Sequence, residues 1–129
     1  MMGQMVCRGV RGATTVETNT AEAIQQATAE LLREMIAANA IEQEQVASVF
    51  FTTTMDLNAA FPAVAAREEF GWSDVALLNA HEMAVPGALG RCIRILLHLN
   101  TERSAREIRH IYLRDARKLR PDLARATGG

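Results

Sequence analysis

The stretch CIRILLHL, residues 92–99, decides the fold class because two kinds of side chain alternate along it. Every second residue is a branched aliphatic, namely Ile93, Ile95, Leu97 and Leu99. Because residues two apart share one face of a strand, this set forms a continuous dry surface. The other face carries Arg94, a cation in an otherwise apolar setting. The stretch therefore predicts a strand with one buried face and one face that holds a charge.

Other segments supply the rest of a sheet and two helices. Four more segments have strand composition: residues 5–16, 46–54, 75–80 and 109–113. Residues 20–38 predict a long amphipathic helix that Thr20 caps and that Asn39 ends in the left-handed conformation. Pro62 and Gly71 are suited to bound a short second helix. These elements predict an α+β fold, with both helices on one face of a mixed or antiparallel five-stranded sheet.

The second face of that sheet has no predicted helix to cover it. In a monomer it would be an exposed apolar patch, which soluble proteins rarely present. The pattern therefore favours a homo-oligomer.

Arg11 is expected at or near the end of the first strand.

Length and composition limit the class of protein. The chain has 129 residues, of which 49% are hydrophobic and 22% charged, as is typical of one soluble domain. We expect a single domain over 1–129, with flexible ends at 1–4 and 124–129. No apolar run is long enough for a membrane span, and no secretory signal is visible. Cys7 and Cys92 fit neither a disulfide framework nor a zinc site, so we expect a cytoplasmic protein.

Charge is distributed unevenly along the chain. Residues 1–90 hold four Arg against 11 acidic residues, whereas residues 91–129 hold nine Arg and one Lys against four acidic residues. Arg binds carboxylate or phosphate with a planar pair of donors, whereas Lys acts as a point charge. Three interpretations remain open: solvated surface charge, an anionic small-molecule ligand, or nucleic acid.

The usual motifs of metal, nucleophilic and phosphate chemistry are missing. His81, His98 and His110 have no paired spacing, and no cluster of carboxylates joins them. No Gly-x-Ser-x-Gly or Cys–His signature appears, and Gly9-x-x-Gly12 lacks the helix that follows a phosphate loop. We therefore expect no metal and no cofactor, and none of the three His is assigned to a site.

Three charged residues have both a structural and a functional interpretation. Arg94 is either a solvated position on a half-exposed sheet or a guanidinium that faces a cleft and needs an anion. Glu82 follows the third strand, and Arg11 lies on the first. From spacing alone, a structural role is the simpler interpretation for each of them.

Four stretches together closely resemble the monofunctional chorismate mutases of the AroH type. They are GVRGATTVE (9–17), DLNAAFPAVAAREEFGW (56–72), HEMAVPGALGRCIRIL (81–96) and RHIYLRDARKLRPDL (109–123). The resemblance is collinear from about Val6 to Leu123. It implies a five-stranded mixed sheet, a homotrimer whose sheets form a barrel-like core, and active sites between subunits. It also implies the conversion of chorismate to prephenate, toward phenylalanine and tyrosine, without a cofactor.

The resemblance implies roles for residues of one subunit. Arg94 matches the strand Arg at the substrate's ether oxygen, and Glu82 matches the residue that bonds the ring hydroxyl. Arg11 matches the Arg that grips a carboxylate, and Tyr112 matches a Tyr that touches one. Leu119 and Arg120 match the C-terminal segment that covers the site.

The resemblance also implies a wall supplied by the neighbouring subunit, with Phe61, Ala63 and Arg67. Two positions depart from the best-known pattern. Asn79 stands where a Cys can occur, and it can still bond a hydroxyl. Val64 stands where a Lys can occur, which removes a cation and puts some affinity for a dianion in doubt.

Two alternatives belong to other classes of protein. Reactive-intermediate imine deaminases share a similar trimeric fold and also bind small carboxylates with an Arg, but Glu82, Arg94 and Tyr112 together favour the mutase. A small RNA-binding module could use the basic residues 91–129. Aromatic residues make up only 5% of the chain, which argues against stacking platforms for bases. We therefore expect chorismate and copies of this chain as partners, and neither nucleic acid nor membrane.

Overall fold

The structure, a computed structural model, describes residues 4–120. In chain order its strands are β1 (Val6–Thr15), β2 (Val46–Thr53), β3 (Ala76–His81), β4 (Cys92–Thr101) and β5 (Ile111–Tyr112). Its helices are α1 (Ala21–Asn39) and α2 (Ala63–Phe70). Short 3-10 turns lie at Gln43–Gln45, Ala105–Glu107 and Arg114–Lys118. The predicted α+β class, with one long and one short helix, is confirmed.

β4 lies at the centre of one five-stranded sheet whose order is β3-β2-β4-β1-β5. It runs antiparallel to both of its neighbours, β1 and β2. The outer strands β3 and β5 are parallel to β2 and β1, respectively. The sheet is therefore mixed, as expected, and the alternating stretch at 92–99 forms its middle.

Both helices cover the same face of the sheet. The main core joins aliphatic residues of β1, β2 and β4 to Leu31, Leu32 and Met35 of α1 and to Ala63 and Ala66 of α2. The approach of α1 to β1 is close, because a Cβ on Gly12 would overlap Met35 Sδ and lie 3.1 Å from Leu31 Cδ1. The covered face is thus dry and tightly packed.

The opposite face of the sheet, here called the open face, carries neither α-helix, and in the described part of the chain only the 3-10 turn Arg114–Lys118 packs on one edge of it, through Ala116. It presents every second residue of the central strands, including Thr52 on β2 and Arg94 on β4. Large apolar side chains on it remain accessible, with Phe50 39%, Leu78 55% and Leu96 38% exposed. The expectation of an uncovered apolar sheet face is therefore confirmed for the single chain.

The start of α1 agrees with the sequence, but its end does not. Thr20 is the N-cap, and its hydroxyl accepts a hydrogen bond from Ala23 N at 3.1 Å. The left-handed residue is Ala40, with φ 47°, and not Asn39. Asn39 stays helical because its buried side chain bonds Met35 O at 3.0 Å and both backbone groups of Arg109. Two long-range hydrogen bonds thus replace the local capping role that was predicted.

Two details of the predicted strands were wrong. β5 has two residues rather than five, because Asn39 takes up the backbone N–H and C=O of Arg109 that a longer strand would have used. Arg11 lies in the middle of β1 rather than near its end, because β1 pairs with β4 along its full length, from Val6 to Thr15.

Two expectations concern the ends and the membrane. The predicted flexible segments, 1–4 and 124–129, fall outside the described residues except for Gln4. None of the helices within 4–120 is long and apolar enough to cross a membrane.

Candidate active site

A cleft of about 440 Å³ lies on the open face, where β2, β4, β1 and β5 meet. Its walls include six residues that the sequence assigned to the site: Arg11, Glu82, Arg94, Tyr112, Leu119 and Arg120. These residues are far apart in sequence, and the strand order brings them together. Phe50, Thr52 and Leu96, which also project from the open face, are among the other residues of the lining.

Arg94 projects from the central strand into this cleft. Its neighbours Ile93 and Ile95 are buried on the covered face, whereas Arg94 is exposed in the single chain. Among residues 4–120, ion pairs form at Arg33–Glu69, Arg114–Glu30 and Lys118–Asp115, and none includes Arg94 or Arg11. Both guanidinium groups therefore remain available to an anion in the cleft.

Glu82 is held by the strand beside Arg94. Its backbone N–H donates to Thr53 O at 2.8 Å, which continues the β2–β3 pairing by one residue. Its carboxylate oxygen Oε2 accepts a hydrogen bond from the Thr52 hydroxyl. Two bonds to β2 thus orient a carboxylate that would otherwise lie in a loop.

Arg11 is held by β4 on one side and by a histidine on the other. It pairs with Leu96 of β4, and its backbone N–H donates to His110 Nδ1 at 3.0 Å. Burial lowers the pKa of His110, and the positive charges of Arg11 and Arg120 lower it further. Both effects favour the neutral ring, which is the form that an acceptor at Nδ1 requires.

A small apolar cluster forms the floor of the cleft. It contains Ala13, Cys92, Tyr112 and Ala116, with Leu119 packed against it. Burial raises the pKa of the Cys92 thiol, although the Arg94 guanidinium acts in the opposite direction. Tyr112 is only 5% exposed, so its ring is fixed by packing while its edge lines the cleft.

The remaining predicted residues lie away from this cleft in the single chain. Asn79 pairs with Phe51 and so points to the covered face, where its Oδ1 accepts a hydrogen bond from Ala63 N at 3.0 Å. Phe61 and Asn79 line a second cavity of about 340 Å³ at the start of α2. Phe61 is 67% exposed, and Arg67 is exposed on α2. The structure thus places six predicted residues at the cleft and two, Phe61 and Asn79, at a second surface beside α2.

Ala63 and Val64 begin α2 but differ in accessibility. Ala63 is fully buried, whereas Val64 is partly exposed. A longer side chain at position 64 could therefore reach solvent. This applies to the lysine that can occur at this position in the family pattern.

Sequence reasoning missed three supporting residues. Thr52 orients Glu82, and His110 bonds the backbone of Arg11. Asp56 accepts a hydrogen bond from Arg91 N at 2.9 Å and so anchors the chain at the entry to β4. Two sequence features were available as signals: the Thr-rich end of the second strand and the His-x-Tyr spacing that ends at Tyr112. Neither feature indicates which residue the side chain will bond.

No group of three or more His, Cys, Asp or Glu that could hold a metal ion occurs within residues 4–120. Arg11, Arg94 and Arg120 instead give the cleft a cationic character, with Glu82 as its carboxylate. Such a set is suited to an anion that also presents a hydrogen-bond donor to the carboxylate.

Known proteins resemble this chain over most of its length. The family model for chorismate mutase type I matches residues 7–123. Chorismate mutase AroH of Thermus thermophilus is 54% identical over 120 residues, which cover 92% of this chain and 98% of that protein. Chorismate mutase AroH of Bacillus subtilis (strain 168) is 44% identical over 120 residues, which cover 93% and 94%, respectively.

A solved structure agrees with the sequence comparisons. A chorismate mutase from Clostridium thermocellum superposes with a TM-score of 0.83 at 46% identity, covering 85% of this chain and 97% of that one. The family match spans both helices and all five strands except the first residue of β1. The chain therefore belongs to the type I chorismate mutase family.

Proposed function

We propose that this chain converts chorismate to prephenate by an intramolecular [3,3] rearrangement, on the route to phenylalanine and tyrosine. The observation that carries the proposal is the convergence of Arg11, Glu82 and Arg94 on one cleft of the open face. Family membership indicates that the substrate is chorismate. The cleft contains cations and a carboxylate that can bind the substrate's carboxylates and hydroxyl.

The reaction defines what the protein has to do. One carbon–oxygen bond breaks while one carbon–carbon bond forms, and no proton is transferred. Catalysis therefore requires that the enolpyruvyl arm be held over the ring in a chair-like pose. It also requires a donor at the ether oxygen, where negative charge grows as the bond lengthens.

Each requirement has a candidate in the cleft. Arg94, on the central strand, is the donor to the ether oxygen, and its fixed position makes it preorganised. Arg11 and Tyr112 bind carboxylate, and Glu82 accepts a hydrogen bond from the ring hydroxyl. The exposed guanidinium of Arg94 and the Thr52 bond to Glu82 support these assignments.

Shared sites in a homotrimer explain the two separate surfaces of the single chain. The open faces of three sheets pack into a barrel-like core, which covers Phe50, Leu78 and Leu96. Their exposure, between 38% and 55%, supports this packing because such a patch is unfavourable in water.

The neighbouring subunit then completes each cleft. It supplies Phe61, Arg67 and Asn79 from α2 and the segments beside it, with the buried Ala63 supporting them from the core, while Leu119 and Arg120 cover the site. The exposure of Phe61, at 67%, and the grouping of Phe61 with Asn79 at one cavity support this arrangement.

The whole chain acts as one cytoplasmic domain that needs neither cofactor nor nucleic acid. A direct test follows the loss of chorismate by absorbance with purified protein and identifies prephenate as the product. We expect turnover that chelator leaves unchanged and that is flat with pH across neutrality, because no residue must exchange a proton. Absence of chorismate loss would refute the proposal, and so would activity that is lost with chelator and restored by metal.

A further inference from the structure

The hydrogen bond between Arg11 and His110 takes the place of a missing sheet contact. The backbone N–H of Arg11 points toward β5, where a parallel strand would normally offer a carbonyl. β5 begins only at Ile111, so the acceptor is instead His110 Nδ1, at 3.0 Å. A titratable ring thus holds the middle of β1 at the residue whose side chain enters the cleft.

This bond exists in only one protonation state of the ring. An acceptor at Nδ1 requires the neutral tautomer with its proton on Nε2. Protonation would place an N–H against the Arg11 N–H, so the bond would be lost and two donors would face each other. The same proton would add a positive charge beside two cations.

The groups around His110 all disfavour protonation of its ring. Partial burial lowers its pKa first, and then the charges of Arg11 on β1 and Arg120 after the last 3-10 turn lower it further. The adjacent Arg109 is also cationic, and its backbone N–H is bonded to Asn39 Oδ1 at 2.8 Å. Tyr112, two residues after His110, is the titratable group of β5 and lines the cleft.

We propose that His110 is a positioning residue for Arg11 and that its neutral form is required to keep the Arg11 side chain in the productive place. The inference rests on the proposed mutase function, because it gives Arg11 the task of binding a substrate carboxylate. His110 itself does not touch the substrate. Protonation of His110 at acid pH breaks its hydrogen bond to the Arg11 N–H of β1 and lowers kcat/KM.

Two variants of His110 separate this role from simple packing. In His110→Asn the side-chain oxygen occupies the place of Nδ1, so an acceptor remains that does not titrate. His110→Leu keeps a similar volume but has no acceptor. We expect kcat/KM of the wild type to be flat across neutrality and to fall at acid pH, with the midpoint at the pKa of His110 in the free protein.

The expected profiles of the variants differ from the wild type in opposite ways. His110→Asn keeps the neutral plateau and loses the acid fall that belongs to His110. His110→Leu has a plateau about five- to tenfold lower, as expected for one lost hydrogen bond that positions a binding group, and also lacks that fall. An unchanged acid fall in His110→Asn, or a wild-type plateau in a folded His110→Leu, would overturn the inference.

A second readout does not depend on activity. Nuclear magnetic resonance of the labelled protein follows the His110 ring nitrogens and the Arg11 amide through the same pH range. We expect the Arg11 amide to shift with the midpoint of His110, and to stay constant in His110→Asn. If chorismate is not converted at all, the proposed function fails while this titration still tests the bond. If chorismate is converted but the two midpoints differ, the positioning role fails alone.

Discussion

Thr52 and Arg94 face each other across β2 and β4, and the Thr52 hydroxyl donates to the Glu82 carboxylate. One side chain therefore connects β2, the strand beside the candidate catalytic arginine, to the residue that follows β3. This arrangement depends on the strand order β3-β2-β4, which places Thr52 between Arg94 on β4 and Glu82 at the end of β3. The relative position of the cation and the carboxylate is thus set by the sheet itself.

Removal of the Thr52 hydroxyl tests this connection. Thr52→Val has a similar shape but cannot donate to Glu82, so the carboxylate loses one of the two bonds that orient it. We expect kcat/KM to fall about five- to tenfold, as for a lost hydrogen bond to a charged group. Thr52→Ser keeps the hydroxyl and should retain most of the activity. Equal activity of the Val and Ser variants would show that Glu82 does not need this bond.

Arg94→Ala tests the proposed donor at the ether oxygen. We expect turnover to fall by at least ~10²–10³, which is typical of one lost oxyanion donor, with chain association unchanged. Arg94→Lys should rescue poorly, because a point charge replaces a planar pair of donors. Arg33→Ala is a matched control, since Arg33 lies on α1 with its side chain 60% exposed. Near-wild-type turnover of Arg94→Ala would remove this residue from the mechanism.

Mixing two inactive variants tests whether each site is shared. Arg94→Ala damages the cleft, whereas Phe61→Asp damages the second surface at the start of α2. If the chains form the proposed trimer, some clefts of mixed trimers combine two intact surfaces, so activity in a chorismate assay should partly return.

The control for this experiment combines Arg94→Ala with Glu82→Ala. Both of these residues line the same cleft of one chain, so mixing should restore nothing. Recovery in the control mixture, or none in the Phe61 mixture despite confirmed subunit exchange, would place the site within one chain.

Asn39→Ala tests the link between the end of α1 and β5. Asn39 is 1% exposed, and its removal leaves the backbone groups of Arg109 without their partner. We expect the free energy of unfolding to fall by about 1–3 kcal/mol, because three hydrogen bonds of the Asn39 side chain are lost. Asn100→Ala, at an exposed position of β4, should change stability by less than about 0.5 kcal/mol. Equal thermal midpoints for the two variants would contradict the structural role of Asn39.

The sequence by itself determined the class of fold, because the signals that define it are local. The alternation at 92–99, the amphipathic pattern at 20–38 and the cap at Thr20 each depend on residues within a few positions of one another. They placed the strands and helices and indicated an uncovered sheet face. The four motifs that carry the family resemblance also follow from sequence alone, and six residues that they select line one cleft.

Only the tertiary structure decided which side chains support the site. Thr52 and Glu82 are 30 residues apart, and Arg11 and His110 are 99 apart. Such pairs form because strand order and register bring distant residues together, and no local pattern encodes either property. For the same reason Asn39 became a bridge to Arg109 instead of a helix terminator, and Asn79 lies beside Ala63 on the covered face rather than in the cleft with Arg94.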